Sequence, residues 1–220
     1  MVSRTRVALN TQMIGTFRRV ELAVLAYVLL ATGIAAVRLP RYGNAAFAVV
    51  AHLLIAGLVL LTVRAAPEDT AVPQRGVHRF RDALPLLLLV GLYPLLDIVN
   101  MAGGVRTWDA ELQRIEQGLF AMQPSRDWWR ASPSMFWSTL LHAAYFSYYP
   151  LIAVPAFILL RGGTRSERTF FVTRVTVTFM LCYAVFALLP VSGPYYQFER
   201  PTGAFIANLP AQWVYASLTG

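Results

Sequence analysis

The sequence predicts an all-α integral membrane protein, a helical bundle of about five transmembrane helices plus one interfacial amphipathic helix. Long apolar runs recur along the 220 residues, of which 57% are hydrophobic, and only 14% are charged. A soluble domain usually carries charge on about a quarter of its residues. Because peptide groups in hydrocarbon must be hydrogen-bonded within their own segment, we expect these runs to cross the bilayer as helices.

Five runs are long and apolar enough to be predicted as spans. In chain order they cover residues 22–37, 45–63, 83–99, 135–160 and 171–189. The third run contains Pro85 and Pro94, which membrane bundles tolerate when neighbouring groups re-satisfy the backbone. The basic segment 1–19 resembles the start of a signal peptide, but no small-residue cleavage signal stands out and further spans follow. An uncleaved first helix is therefore predicted.

Residues 108–120 predict an amphipathic helix that lies in the membrane interface. Leu112, Ile115 and Leu119 form one apolar stripe at helical spacing, and the charged residues lie elsewhere on the wheel. The tryptophan pair at 128–129, flanked by two arginines, is typical of an interfacial anchor. The alternative for this region is a solvated loop with a short helix.

Charge distribution predicts the topology and argues against a nucleic-acid partner. All 19 basic residues are Arg, and the net charge is +8. The arginines flank apolar runs and form no basic helix face, so we expect a lipid bilayer and no nucleic acid. With the N-terminus inside, the inner segments hold twelve arginines and the outer segments seven. This bias favours a cytoplasmic N-terminus and an extracytoplasmic tail. We expect the protein to lie in a bacterial plasma membrane. Residues 1–82 are predicted as a two-helix membrane region and 83–220 as a membrane domain.

Candidate functional residues collect at the predicted outer ends of the spans. Asp97 and Asn100 share a helix face, and an ionisable residue at membrane depth is a functional candidate by default. The alternative is that Asp97 pairs with an Arg or caps a helix. His142 and Tyr145 share a face of the fourth span, although a lone membrane histidine is more often a packing residue. A further alternative is a haem site between the second and fourth spans, with His52 and His142 as its two ligands.

The tail supplies a candidate phosphate contact. Arg200 is the only basic residue in 190–220, and its planar fork of donors suits a phosphate group. The alternative is an ion pair with neighbouring Glu199 or a contact with lipid headgroups. Pro and Gly residues in 190–194 predict that the fifth helix stops there in a tight exit.

Three stretches of the sequence carry a family resemblance. They are Trp108-Asp109 with Gly118-Leu119-Phe120 and Pro124-Ser125, Tyr145-Phe146-Ser147-Tyr148-Tyr149-Pro150, and Leu188-Leu189-Pro190-Val191-Ser192-Gly193-Pro194. In order and spacing, over about residues 83–220, they resemble the type 2 phosphatidic acid phosphatase superfamily, in its inositol phosphorylceramide synthase-like branch.

The resemblance implies phosphatase or phosphotransferase chemistry on membrane lipid or polyprenyl phosphates, with no metal and no other cofactor. It implies that Arg200 contacts the phosphate. The residues expected to shape the polar cavity around it are Asp97, Asn100, Asp109, His142 and Tyr145. In this family one histidine attacks phosphorus, a second protonates the leaving oxygen, and an Asp orients the nucleophile, which is the logic of an activated nucleophile.

The sequence departs from the family in its motifs. The first motif is a Lys, six residues, then Arg-Pro; Arg200-Pro201 matches the second half, but the Lys position falls on Gly193. Neither Pro-Ser-x-His nor Ser-Arg-x5-His-x3-Asp occurs in the chain. We therefore expect the 220 residues to be an N-terminal part that ends before the Pro-Ser-x-His motif and is inactive alone. The alternative is a non-catalytic multi-pass membrane protein that binds a lipid or a partner; for a small transporter the discontinuous-repeat signals are absent.

Overall fold

A computed structural model describes residues 18–40, 43–67, 75–101 and 106–219, and the regular structure of these residues is entirely helical. The helices in chain order are α1 (Arg19–Arg38), α2 (Ala45–Ala65), α3 (Arg75–Met101), α4 (Asp109–Phe120), α5 (Pro124–Ala131), α6 (Met135–Gly162), α7 (Arg165–Leu188), α8 (Pro194–Gln197), a 3₁₀ turn (Gly203–Phe205) and α9 (Leu209–Thr219). The predicted fold class is confirmed. The predicted basic N-terminal segment lies outside the described residues, apart from its last two arginines.

Five of these helices, α1, α2, α3, α6 and α7, are each long and apolar enough to cross a membrane. They have 20 to 28 residues, which at 1.5 Å per residue spans the roughly 30 Å of a bilayer's hydrocarbon core. The chain is therefore an integral membrane protein. Each of the five predicted spans corresponds to one of these helices, and α4 matches the predicted amphipathic helix.

Two helices begin earlier than the hydropathy pattern predicts. The third span was predicted to begin at residue 83, but α3 begins at Arg75. Likewise, α7 begins at Arg165, ahead of the predicted start at residue 171. The physical reason is that helical hydrogen bonding continues into polar turns when ion pairs compensate their charges. In α3 the buried residues Arg81 and Asp82 are compensated in this way.

The chain divides into two compact units. Unit 1 consists of Met1–Val105 and Ala156–Leu188, and unit 2 consists of Arg106–Pro155 and Leu189–Gly220. Unit 1 therefore holds α1, α2, α3 and α7, while unit 2 holds α4, α5, α8 and α9. Helix α6 contributes its first part to unit 2 and its last turns to unit 1. The predicted domain boundary after residue 82 falls inside α3.

Unit 1 is a four-helix bundle in which α1 packs on α2 and α7, and α3 packs on α2 and α7. Its core consists of closely packed apolar side chains from all four helices, including Val24, Val28, Val59, Leu88, Leu92, Met180 and Tyr183. In a membrane such packing holds helices together by dispersion contacts, since lipid tails are as apolar as leucine.

A buried ion network joins three helices at one end of unit 1. The Arg81 guanidinium donates two hydrogen bonds to the Glu21 carboxylate, at 2.6 and 2.7 Å. Asp82 accepts from Arg18 at 2.6 Å and from Arg168 at 2.9 Å. Buried charges are tolerated only when they are paired and hydrogen-bonded, and here each carboxylate faces at least one guanidinium. The network therefore fixes the starts of α1, α3 and α7 relative to one another.

Candidate functional site

Asp109 is the most connected candidate residue, and it opens helix α4 in unit 2. An acidic side chain in the first turn is favoured by the helix dipole. The carboxylate accepts hydrogen bonds from the Ser192 backbone N–H at 3.0 and 3.1 Å and from the Ser192 hydroxyl at 2.9 Å. It also accepts from the Gly193 N–H at 3.2 Å. Asp109 is only 8% exposed, so this carboxylate is a structural clamp on residues 192–193.

The hydrogen bonds determine the charge state of Asp109. Burial alone would raise the pKa of the carboxyl, but hydrogen bonds from Thr107, Ser192 and Gly193 stabilise the ionised form. The sum of these effects holds the pKa of Asp109 below its ordinary value of 3.8. Asp109 is therefore an ionised acceptor at neutral pH and is not a reservoir of protons.

The segment that Asp109 holds has a backbone that requires glycine. Helix α7 ends at Leu188, and the Pro190 carbonyl accepts a hydrogen bond from the Trp108 N–H at 2.9 Å. Gly193 follows with φ +84° and ψ 165°, a region that residues with a side chain rarely adopt. The predicted tight exit after the fifth span is present, with its glycine at the position that the family motif gives to Lys.

His142 lies in a second polar cluster of unit 2. Its Nδ1 is 2.7 Å from the Ser138 carbonyl oxygen and 3.1 Å from the Ser138 hydroxyl oxygen. That hydroxyl donates to the Phe205 carbonyl and accepts from the Asn208 side-chain amide at 3.1 Å. Since the neighbours of Nδ1 include a carbonyl oxygen, which can only accept, Nδ1 carries a hydrogen. Ser138 therefore orients the imidazole through Nδ1.

Sequence reasoning missed Ser138 and Asn208, which hold His142 in place. Ser138 is fully buried, one helical turn before His142. The Asn208 Oδ1 accepts a hydrogen bond from the Ala211 N–H at 3.0 Å, so Asn208 caps the start of α9. Two sequence signals were available: the i, i+4 spacing of Ser138 and His142, and an Asn directly ahead of Leu-Pro-Ala, which is typical of a helix start.

Arg200 lies at an exposed position beside an ion pair between two distant segments. Glu199 accepts a hydrogen bond from Arg130 of α5 at 2.8 Å. The Arg130 guanidinium also lies over the Trp129 ring, 4.7 Å from its centroid. The pair brings α5 to the segment that carries Arg200, the residue directly after Glu199. A guanidinium group that pairs with a carboxylate can bind a phosphate instead when the phosphate oxygens replace the carboxylate oxygens.

The remaining candidates fall in different places. Asp97 and Asn100 belong to unit 1, where Asp97 is exposed and the Asn100 side-chain amide donates to the Phe186 carbonyl at 2.9 Å. Tyr145 belongs to unit 2 and is exposed, and its ring packs edge-on against Phe146 at 6.4 Å. Among the described residues of unit 2, the hydrogen bonds of Asp109 lead to Ser192 and Gly193, whereas those around His142 lead to Ser138, Phe205 and Asn208.

The two histidines of the haem alternative, His52 and His142, belong to different units of the chain. His52 is fully buried in unit 1, with its Nδ1 2.6 Å from the Ala48 carbonyl oxygen. Across the described ranges, no three His, Cys, Asp or Glu residues come together as metal ligands.

Comparison of the chain with protein-family models, with curated proteins and with solved structures gives no match.

Proposed function

We propose that the chain forms the membrane-embedded, phosphate-binding part of a lipid phosphatase or phosphotransferase of the type 2 phosphatidic acid phosphatase kind. Its substrate would be a membrane lipid phosphate or polyprenyl phosphate at the outer face of a bacterial plasma membrane. The observation that supports this proposal is the ion pair of Arg130 with Glu199, the residue directly before Arg200, on an exposed segment of unit 2.

Glu199 acts as a replaceable occupant of this arginine site. The side chains of Arg130 and Glu199 are 36% and 80% exposed, and an exposed pair contributes little net free energy. A phosphate group carries more charge and more acceptor oxygens than a carboxylate, and arginine binds it with two parallel donors. A lipid phosphate arriving from the membrane interface would therefore displace Glu199.

The chain's own residues would bind and position the lipid. The imidazoles that form the phosphohistidine and protonate the leaving group in the family belong to motifs that do not occur in these 220 residues. We therefore assign them, within this proposal, to sequence outside the chain. Asp109 would shape the site indirectly, by holding the backbone at Ser192 and Gly193.

The test is lipid binding by the purified chain in phosphatidylcholine nanodiscs doped with phosphatidic acid or a polyprenyl phosphate. Arg200→Ala should weaken binding about tenfold, the loss expected for a charge-assisted hydrogen bond. Glu199→Gln should strengthen binding, because it removes the competing carboxylate. Arg114→Ala, at an exposed arginine that pairs with Glu111 at 3.6 Å, is the matched control and should change nothing. Unchanged affinity in the Arg200 variant would refute the proposed contact.

A second candidate function is lipid binding without turnover. It is favoured by Gly193, because φ +84° at this position disfavours the lysine that the family motif places there. The two functions differ in one measurement, the release of inorganic phosphate from the bound lipid by the polypeptide that the whole gene encodes. Release that depends on Arg200 identifies the enzyme, and saturable binding without release identifies the binding protein.

A further inference from the structure

Unit 2 contains a cavity of about 120 Å³ between α4 and the segment that follows Gly193. Its polar lining comes from Asp109, Gln113 and Glu116 on α4 and from Gln197 on α8. Leu112 and Phe198 contribute apolar wall. This volume is well above the roughly 10–15 Å³ that one water molecule requires, so there is room for a ligand of a few heavy atoms.

The polar side chains that line the cavity differ in how far their acceptor oxygens are already hydrogen-bonded. Asp109 already receives hydrogen bonds from Ser192 and Gly193. Glu116 is half-buried and has no hydrogen bond or ion pair to any part of the chain that the structure describes. Gln197 donates its amide N–H to the Ser192 hydroxyl at 3.4 Å, which leaves its carbonyl oxygen as an acceptor. A ligand in the cavity would therefore find the free carboxylate of Glu116 and the carboxamide oxygen of Gln197 as acceptors.

This lining selects the charge of the occupant. Two carboxylates and no basic side chain among the described lining residues disfavour an anion, so the cavity is separate in chemistry from the arginine site at Arg200. A divalent metal is also a poor match, because Glu116 is the one carboxylate whose oxygens are not already engaged. A primary ammonium fits better, since it offers three donors and a single positive charge.

We propose that this cavity binds a small primary ammonium group, either of a free amine or of an aminolipid headgroup. The ammonium would donate to Glu116 and to the Gln113 and Gln197 carboxamides, and its methylene groups would contact Leu112 and Phe198. The proposal does not depend on phosphate binding at Arg200.

The experiment uses the whole chain in phosphatidylcholine nanodiscs, titrated with propylamine by saturation-transfer NMR at pH 7. The isosteric alcohol 1-propanol has the same alkyl chain without the charge, and it should bind at least about tenfold more weakly. Glu116→Gln should raise the Kd for propylamine about tenfold. Glu111→Gln is the matched control, because Glu111 lies on the same helix but pairs with Arg106 and does not line the cavity.

Gln113→Leu is a second variant that removes a cavity acceptor without altering charge, and it should also weaken propylamine binding. Equal binding of 1-propanol and propylamine, or unchanged affinity in both cavity variants, would overturn the proposal. Displacement of propylamine by an equal concentration of Ca²⁺ would also overturn it by identifying a metal site. Nanodiscs that contain phosphatidylethanolamine distinguish the sources: competition identifies a lipid headgroup as the ligand, and undiminished propylamine binding identifies a free amine.

Discussion

Asp109 and Ser192 are 83 positions apart in the chain, and the Asp109 carboxylate receives both the backbone N–H and the hydroxyl of Ser192, the latter at 2.9 Å. The N–H is shared between the two carboxylate oxygens. This contact ties the start of the amphipathic helix α4 to the chain that leaves α7. The segment that leads to Arg200 therefore begins from a fixed point and not from a free helix end.

Removing the Asp109 carboxylate should loosen unit 2. Asp109→Ala leaves the N–H groups of Ser192 and Gly193 without their charged acceptor, and hydrogen bonds to a charged group contribute about 1.5–3 kcal/mol each. We expect a loss of about 2–3 kcal/mol in the free energy of unfolding, followed by tryptophan emission in a detergent titration. Ser192→Ala removes only the hydroxyl bond and should cost less than Asp109→Ala. Equal losses in the two variants would contradict a clamp centred on Asp109.

The same carboxylate should make unit 2 sensitive to acid. The pKa of Asp109 is lower in the folded protein than its ordinary 3.8, so the folded state favours the ionised form. Its contribution is fully present above pH 4, where the unfolded group is also ionised, and is lost as pH falls through the folded pKa. The unfolding free energy of Asp109→Asn should therefore vary less with pH below about 4 than that of the wild type. The comparison belongs in an Asp127→Asn background, because Arg126 lowers the pKa of the partly buried Asp127 carboxyl to about 2.

Substitution of Gly193 should be costly although there is space for a side chain. A Cβ at this position meets no atom within 4 Å, so the penalty comes from φ +84° alone. Gly193→Ala should lower stability by about 1–3 kcal/mol. Gly118→Ala, inside α4 and equally open, is the control and should raise stability by about 0.5–1 kcal/mol. The midpoints of thermal unfolding in detergent should move in opposite directions, and a shift in the same direction would contradict the backbone argument.

The buried ion network of unit 1 should be among its most sensitive points. Asp82→Ala leaves the guanidinium groups of Arg18 and Arg168 without their shared carboxylate, and breaking such a buried pair costs about 3–5 kcal/mol. Replacing both Glu21 and Arg81 by Leu removes the charges together and should be far less damaging than either single change. A double-mutant cycle on thermal stability measures the difference. Additive losses at Glu21 and Arg81 would show that the pair does not act as a unit.

The spans were predictable because the length of an apolar run is a local property of the sequence, and a bilayer of fixed thickness sets the required length. The ion network was not predictable, because Arg81 pairs with Glu21, 60 positions away, and Asp82 pairs with Arg168, 86 positions away. Without these partners, the polar residues ahead of the third span read as a loop. The pairing distance also explains the early start of α3.

The candidate site was predictable only in part, for a related reason. Asp109 was singled out with the family resemblance and His142 as a polar residue of the fourth span, and each does anchor a hydrogen-bond network. Their partners include the backbone groups of Ser192 and Phe205, which any residue type would supply. A sequence does not mark which backbone groups a side chain will find, because that choice depends on how α4, α6 and the tail meet.

The outer-face proposal depends on the predicted orientation of the chain in the membrane. The arginine bias predicts that the N-terminus and the start of α7 lie in the cytoplasm and that the segment after α7 lies outside. Gln197→Cys, an exposed position of α8, should react with an impermeant maleimide on intact cells. Ser166→Cys, exposed at the start of α7, should react only after permeabilisation. Both variants require a Cys182→Ala background, since the native Cys182 is exposed on α7. The reverse labelling pattern would invert the chain, move Arg200 to the cytoplasmic face and exclude an outer-leaflet phosphate as its ligand.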